Sequence, residues 1–268
     1  MSKTLYINGE WRSAIDGHTW DVISPADGHV VTTVAEATVA DIELAISAAR
    51  KTFDNGDFPN WGFERRSALV AKIADLMERD LKILAKLESD DTGKRLIEAE
   101  YDISDVIACF RHFAKIGKRQ HERVVEIAQE NIESRVVHEP IGVCTLIGPW
   151  NYPLLQVSWK VAPALVSGCT FIVKPAELTP SSAIHLFKLI EEAGTPAGVA
   201  NLILGKGSVI GDALTSDPRV DLVSFTGSLG VGQRIMSLAS KTIKKVALEL
   251  GGKNPNIIFA DANLDAAI

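Results

Sequence analysis

Cysteine is scarce in this 268-residue chain: Cys109, Cys144 and Cys169 are the three present, each inside an apolar stretch. An odd count in a chain of this length argues for structural thiols rather than a disulfide framework. They do not pair at metal-ligand spacing and the six histidines form no cluster, so no metal site is expected. Positive charge is short as well. A formal net charge of −6 argues against general affinity for nucleic acid or an anionic membrane, because phosphate binding needs a basic face. The pair Lys244-Lys245 reads as a solvated strand edge. No apolar run approaches bilayer-spanning length, and the start Met1-Ser2-Lys3-Thr4-Leu5 lacks the apolar centre of a signal peptide. A cytoplasmic location is therefore expected. Internal repeats and low-complexity segments are missing too. What remains is an ordinary globular composition, 46% apolar and 23% charged, enough for one large domain or two modest ones.

The first forty residues alternate strand and turn signals: Leu5-Tyr6-Ile7, Asn8-Gly9, Val22-Ile23, Pro25, Asp27-Gly28, then Val30 to Val34. This pattern predicts a small β meander. Thr38-Val39-Ala40-Asp41 is a capping-type helix start, with Ile42, Ala45, Ile46 and Ala49 on one face. A second helix is expected to carry Leu69, Ile73, Leu76, Leu84 and Leu87, and a third to run from about Ile97 to Ile116. Val124 to Ile127 and Ile132 to Val137 flank a polar turn at Gln129-Glu130-Asn131. They predict a protruding hairpin over 121–140 whose open edge needs a partner, and so a homo-oligomer through that arm.

From residue 141 strands and helices alternate. Strands are expected at Val143 to Ile147, Thr170 to Lys174, Ala200 to Leu204, Asp221 to Phe225 and Lys245 to Leu250. Short strands separated by helices imply parallel pairing with right-handed crossovers, hence a Rossmann-like doubly wound α/β sheet with flanking helices. Its core is placed at 141–251, with 1–120 as the N-terminal part of the same domain.

In such sheets ligands bind at the carboxyl ends of the strands. Five strand ends in a row carry polar residues or glycine, which suits a nucleotide: glycine lets backbone approach phosphate, and a helix N-terminus attracts it. Gly205-Lys206-Gly207-Ser208-Val209-Ile210-Gly211 follows the third strand, but its spacing is not the dinucleotide fingerprint and equally suits a turn opening a helix. Ser228, ending Phe225-Thr226-Gly227-Ser228, serves as a helix N-cap, as a phosphate ligand, or both. Lys174 and Glu177 read either as a solvated strand end or as the pair for a ribose's two hydroxyls. Asn151 within Pro149-Trp150-Asn151-Tyr152-Pro153 can donate to an oxyanion, a contact commonly worth roughly 3 to 4 kcal/mol; turn chemistry at a helix entrance is the other reading. Glu249 ends a strongly apolar strand, where desolvation would raise its pKa toward that of a neutral-pH base. A carboxylate solvated by the Gly251-Gly252 turn is the alternative.

Pro149 to Pro153, Lys174-Pro175-Ala176-Glu177, Phe225 to Ser228 and Glu249-Leu250-Gly251-Gly252-Lys253 together resemble the NAD(P)-dependent aldehyde dehydrogenases, in order and approximate spacing. The likeness extends over the chain and includes Asp91-Thr92-Gly93-Lys94. It implies attack of a thiolate on a small aldehyde, hydride transfer to nicotinamide, and hydrolysis of a thioester. By this resemblance Lys174 and Glu177 hold the adenosine ribose and Ser228 meets the pyrophosphate. Ile147, Gly148, Pro149, Trp150, Ala176, Gly207 and Gly211 would line the dinucleotide with Phe225, Gly227, Val231 and Leu250. Glu177 would repel a 2′-phosphate, so NAD is favoured over NADP. Leu229-Gly230 departs from the polar pair that many members carry after the Ser.

Tyr152 and Trp159 are seven apart and fall on one helix face. The string Trp-Asn-Tyr-Pro-Leu-Leu followed by Ser158-Trp159-Lys160 is similar to that of betaine-aldehyde and aminoaldehyde dehydrogenases, where aromatic rings cage a cation. Cation–π contact is worth about 0.5 to 2 kcal/mol per ring; two core aromatics are the competing reading. Lys160 is sometimes assigned a charge-relay role in such enzymes, and a solvated lysine is the competing reading. None of the three cysteines has the context of the family's nucleophile, which follows Glu-Leu-Gly-Gly-Lys by a few tens of residues. The chain is thus expected to be a cofactor-binding part, with 252–268 as the truncated start of a catalytic domain, and inactive alone. A non-catalytic NAD-binding or interaction module is the alternative.

Overall fold

Alternating apolar runs and amphipathic helices place the chain around one large sheet. The structure, a computed structural model, describes residues 2, 4–117, 123–127 and 131–267. Its N-terminal strands are β1 (Leu5–Ile7), β2 (Glu10–Arg12), β3 (Thr19–Ile23) and β4 (Val30–Ala35). Helices α1 (Val39–Asn55), α2 (Phe63–Arg79), α3 (Leu81–Thr92) and α4 (Leu96–Gly117) follow, then β5 (Arg123–Val125) and β6 (Ser134–Val136). The alternating half comprises β7 (Val143–Ile147), α5 (Pro153–Ser167), β8 (Thr170–Lys174), α6 (Ser181–Glu192), β9 (Ala200–Leu202), α7 (Gly207–Ser216), β10 (Leu222–Gly227), α8 (Leu229–Ala239) and β11 (Lys245–Leu250). A short helix, α9 (Leu264–Ala267), ends the described chain.

The main sheet has the order β11-β10-β7-β8-β9-β1-β2. Its five alternating strands are parallel, which is the doubly wound arrangement expected. Chain direction across the sheet reverses between β7 and β10, which lie side by side with Ile147 opposite Phe225. Strands β7, β8 and β9 are buried along their whole length. Helices α5 and α6 pack on these strands from one side, with α2, α3 and α4 as an outer layer. Helices α1, α7 and α8 pack together on the other side. Phe171 and Phe187 are fully enclosed, and each such side chain contributes about 2 to 3 kcal/mol of burial.

The N-terminal strands form two hairpins rather than one meander. The β1–β2 pair extends the main sheet antiparallel to β9, while β3–β4 is a separate two-stranded sheet. Trp20 of β3 donates its indole N–H to the Glu177 carbonyl at 3.2 Å, so this small sheet steadies the turn after β8. The second expected helix is two, broken at Asp80, whose carbonyl caps α3 through Leu84 N–H at 3.0 Å. The Asp80 carboxylate is held by Arg79 at 2.8 Å and His185 at 2.8 Å; Arg79 first, then His185, bring its pKa down to about 2. The long-range partner His185 has no signal in the local apolar period, which runs unbroken through the corner. Strands β5 and β6 pair as the expected hairpin and are largely exposed; its turn at Gln129-Glu130 lies outside the described residues. No helix among the described residues is long and apolar enough to cross a membrane.

Candidate active site and cofactor cleft

The reversal between β7 and β10 opens a cleft of about 1120 Å³ at the strands' carboxyl ends. From the β7–α5 loop it takes Ile147, Gly148, Pro149, Trp150 and Asn151. Lys174, Ala176 and Glu177 come from the end of β8, Gly207 and Gly211 from α7. Phe225, Gly227, Ser228 and Val231 form the β10–α8 wall, and Glu249 and Leu250 the end of β11. Residues from distant parts of the chain thus converge because every parallel strand ends at this edge.

Two glycines are there for close approach. A Cβ on Gly227 would meet the Phe225 ring at 2.4 Å, and one on Gly148 would meet Val157 of α5 at 2.9 Å. Gly211, in the middle of α7, faces open space. Ser228 caps α8, its hydroxyl accepting from Val231 N–H at 3.5 Å.

Lys174 is not a solvated strand end: it is 3% exposed. Its Nζ donates to the Pro175 carbonyl at 3.1 Å and reaches Glu177 Oε2 at 3.5 Å. Burial lowers its pKa, opposed by Glu177. Lys174 is thus a buried ammonium with few partners among the described residues, beside a half-exposed carboxylate. Asn151 is exposed, and its carboxamide has no partner among the described residues, so its donor is free to turn to a ligand.

Glu249 departs from expectation. It lies on the outermost strand of the sheet, opposite Thr226, and is exposed. The buried setting expected of it is therefore not provided by the described residues. Lys160 departs in the opposite sense. It is 6% exposed on α5 and donates to Thr226 Oγ1 at 2.8 Å. Burial lowers its pKa to about 8, with Glu249 acting the other way. The Thr226 hydroxyl passes the contact on to Gln156 Oε1 at 3.3 Å.

Tyr152 and Trp159 do not line the cleft, and at 45% and 50% exposure they are not core aromatics either. Gln156, Thr226 and the Asp212–Arg234 pair (2.7 Å between Oδ1 and Nε) were not singled out by sequence reasoning, yet they border the cleft. Gln156 stands one helical turn after Tyr152, a spacing that was available as a signal. Asp212 and Arg234 meet only because α7 and α8 pack side by side. The cysteines stay away: none borders the cleft. Burial raises the Cys109 pKa, and a hydrogen bond with Cys169 followed by burial raises that of Cys144.

A doubly wound sheet with a polar, glycine-rich cleft at its reversal point defines an α/β protein of the nucleotide-binding type. The chain belongs to the aldehyde dehydrogenase family, whose pattern matches residues 11–268. It is 48% identical over 268 residues to betaine aldehyde dehydrogenase of Bacillus subtilis, covering all of this chain and 55% of that protein. It is 44% identical to human retinal dehydrogenase 2, covering 98% of this chain and 51% of the other. A crystal structure of betaine aldehyde dehydrogenase from Staphylococcus aureus in complex with NAD+ superposes with a TM-score of 0.95 at 45% identity, over all of this chain and 53% of that one. The chain spans about half the length of the curated relatives it matches.

Proposed function

We propose that these residues form the NAD-binding and oxyanion-stabilising part of an enzyme that oxidises an aldehyde to its carboxylic acid. The observation that carries this reading is the convergence of Asn151, Lys174, Glu177, Ser228 and Glu249 on one cleft. The cleft fits a dinucleotide: it has a capped helix start for phosphate at Ser228 and an under-partnered buried Lys174 with Glu177 for ribose hydroxyls. NAD, when bound, supplies the acceptor for the hydride. Glu177 disfavours a 2′-phosphate beside it and so favours NAD over NADP.

Asn151 presents a neutral N–H donor to the oxygen of the aldehyde as negative charge develops there. Glu249 is assigned the proton of hydrolytic water as an exposed carboxylate at the rim of the cleft, not as a buried base. Lys160 holds Thr226 at the cleft floor and keeps a proton on Nζ at neutral pH. Tyr152 and Trp159 recognise the substrate outside the dinucleotide cleft, and their exposed rings suit the quaternary ammonium of betaine aldehyde or another aminoaldehyde. The similarity to betaine aldehyde dehydrogenases supports that substrate class.

The core at 141–251 is assigned to cofactor binding, with 1–120 as its N-terminal part. The 121–140 arm, whose strands β5 and β6 are largely exposed, is assigned to pairing with another copy, and 252–268 to the truncated start of a catalytic domain. Because no cysteine borders the cleft, the 268 residues alone bind NAD without turning over aldehyde, the behaviour of a non-catalytic module. Calorimetric titration with NAD tests the cofactor assignment: binding heat is expected and Lys174→Ala weakens it. Indistinguishable heats for the two proteins refute the assignment. Betaine aldehyde turnover by the purified chain above that of its Glu249→Ala variant refutes the expected inactivity.

A further inference from the structure

The Asp91-Thr92-Gly93-Lys94 corner belongs to no part of the cleft, yet it reaches the Asn151 turn from outside. Lys94 Nζ donates to the backbone carbonyl of Asn151 at 3.2 Å and lies 4.7 Å from the centre of the Tyr152 ring. Asp102 of α4 holds the same Nζ at 2.5 Å, and both side chains of this pair are largely buried. Six residues back along α3, Glu88 is fully enclosed and its Oε1 accepts the Leu154 N–H at 3.1 Å. The turn carrying Asn151 is therefore gripped at both ends by one element.

Local chemistry explains why such a grip is needed. Helix α5 starts with Tyr152 at the cap position, and that residue provides no side-chain cap. Pro153 has no N–H to offer, so the first helix donor to satisfy is that of Leu154. Glu88 satisfies it from a neighbouring helix. Lys94 is itself fixed: Ser89 Oγ donates to its carbonyl at 2.8 Å, and its N–H donates to Thr92 Oγ1 at 3.2 Å. Gly93, at φ 74° and against Pro25, makes the left-handed reversal that brings Lys94 round. The Asn151 carboxamide has no partner of its own among the described residues, so its aim is set by this backbone.

We propose that Lys94 and Glu88 are positioning residues for Asn151, clamping the turn 151–154 so that the carboxamide stays aimed at the developing oxyanion. The inference rests on Asn151 as the oxyanion donor. Its test uses the pair Lys94→Met with Asp102→Asn, which removes the Lys94 half of the clamp without leaving a buried carboxylate unpaired; Asp102→Asn alone keeps both halves. In the 268-residue chain, the double variant is expected to speed amide exchange over 149–156 about 10-fold or more while β8 is unchanged. In a polypeptide that carries these residues and oxidises aldehydes, it lowers kcat about 10-fold with KM for NAD within about 2-fold. That loss disappears when Asn151 is already Ala, because the clamp acts through it. Asp102→Asn alone stays within about 2-fold of wild type in both measurements. Unchanged exchange over 149–156, or a kcat loss that multiplies in full onto Asn151→Ala, overturns the proposal. If Asn151→Ala itself leaves kcat intact, the oxyanion reading falls, while the exchange result still decides whether the clamp exists.

Discussion

Replacing Glu88 with Gln makes the cost of a buried carboxylate measurable. Glu88 has no exposed surface, and its Oε2 has no hydrogen-bond partner among the described residues. Burial pushes its pKa up from 4.5 to about 7, outweighing the Ser182 hydroxyl and the Leu154 N–H that act against the rise. The folded protein therefore holds this proton more tightly than the unfolded chain. Its contribution to stability is fully present below about pH 4.5 and is lost as pH rises through 7. Across pH 5 to 8 the loss amounts to about 2 to 3 kcal/mol, at roughly 1.4 kcal/mol per pKa unit. Gln keeps the carbonyl that accepts from Leu154 and cannot ionise. It buries an amide N–H₂ where Oε2 stood, a cost of about 1 to 3 kcal/mol that does not vary with pH. Asp91, raised to about 6 by burial, adds about 1 kcal/mol of the same sign over this window and remains in the variant. Urea unfolding followed by circular dichroism at pH 5 and pH 8 is the assay. Wild type is expected to lose about 2 to 3 kcal/mol more than Glu88→Gln between the two pH values. Parallel profiles for the two proteins refute the reasoning.

Lys160→Met removes a buried ammonium whose pKa burial lowers to about 8. Here the unfolded chain binds the proton more tightly, so stability rises with pH from about 8 to 10.5. Met is expected to stabilise the protein at pH 7 by about 1 to 3 kcal/mol, net of the lost Thr226 contact, and the gain vanishes near pH 10.5 in the same urea assay. Glu177→Gln removes the charge beside the proposed ribose site. Because Glu177 is 45% exposed, solvent screens the effect, and calorimetry is expected to find NADP binding strengthened relative to NAD on the order of 5-fold.

Much of the fold was legible locally. The five parallel strands were expected from apolar runs bounded by turn residues, and each was found within a residue or two of its place, since short buried strands carry their own signal. The polar residues at their carboxyl ends were legible for the same reason, and right-handed crossovers bring those ends to one edge. The break at Asp80 was not legible, because α2 and α3 share an apolar period while His185, which fixes the corner with Arg79, lies 105 residues away.

Residue identity and spacing were enough to set the α/β class, the strand ends and many of the groups that meet at the cleft, but not Gln156, Asp212 and Arg234, nor the place of Tyr152 and Trp159 outside it. Packing set how those groups are tuned. Lys160 is buried because α5 lies against β7 and β8, whereas Glu249 is exposed because β11 is the last strand of its sheet. No local pattern distinguishes the two, since burial depends on which distant elements cover a residue. The hold of Lys94 and Glu88 on the Asn151 turn spans 57 and 66 residues. It exists only when α3 folds back against the start of α5, where a proline and an uncapped tyrosine leave backbone groups to be satisfied from elsewhere.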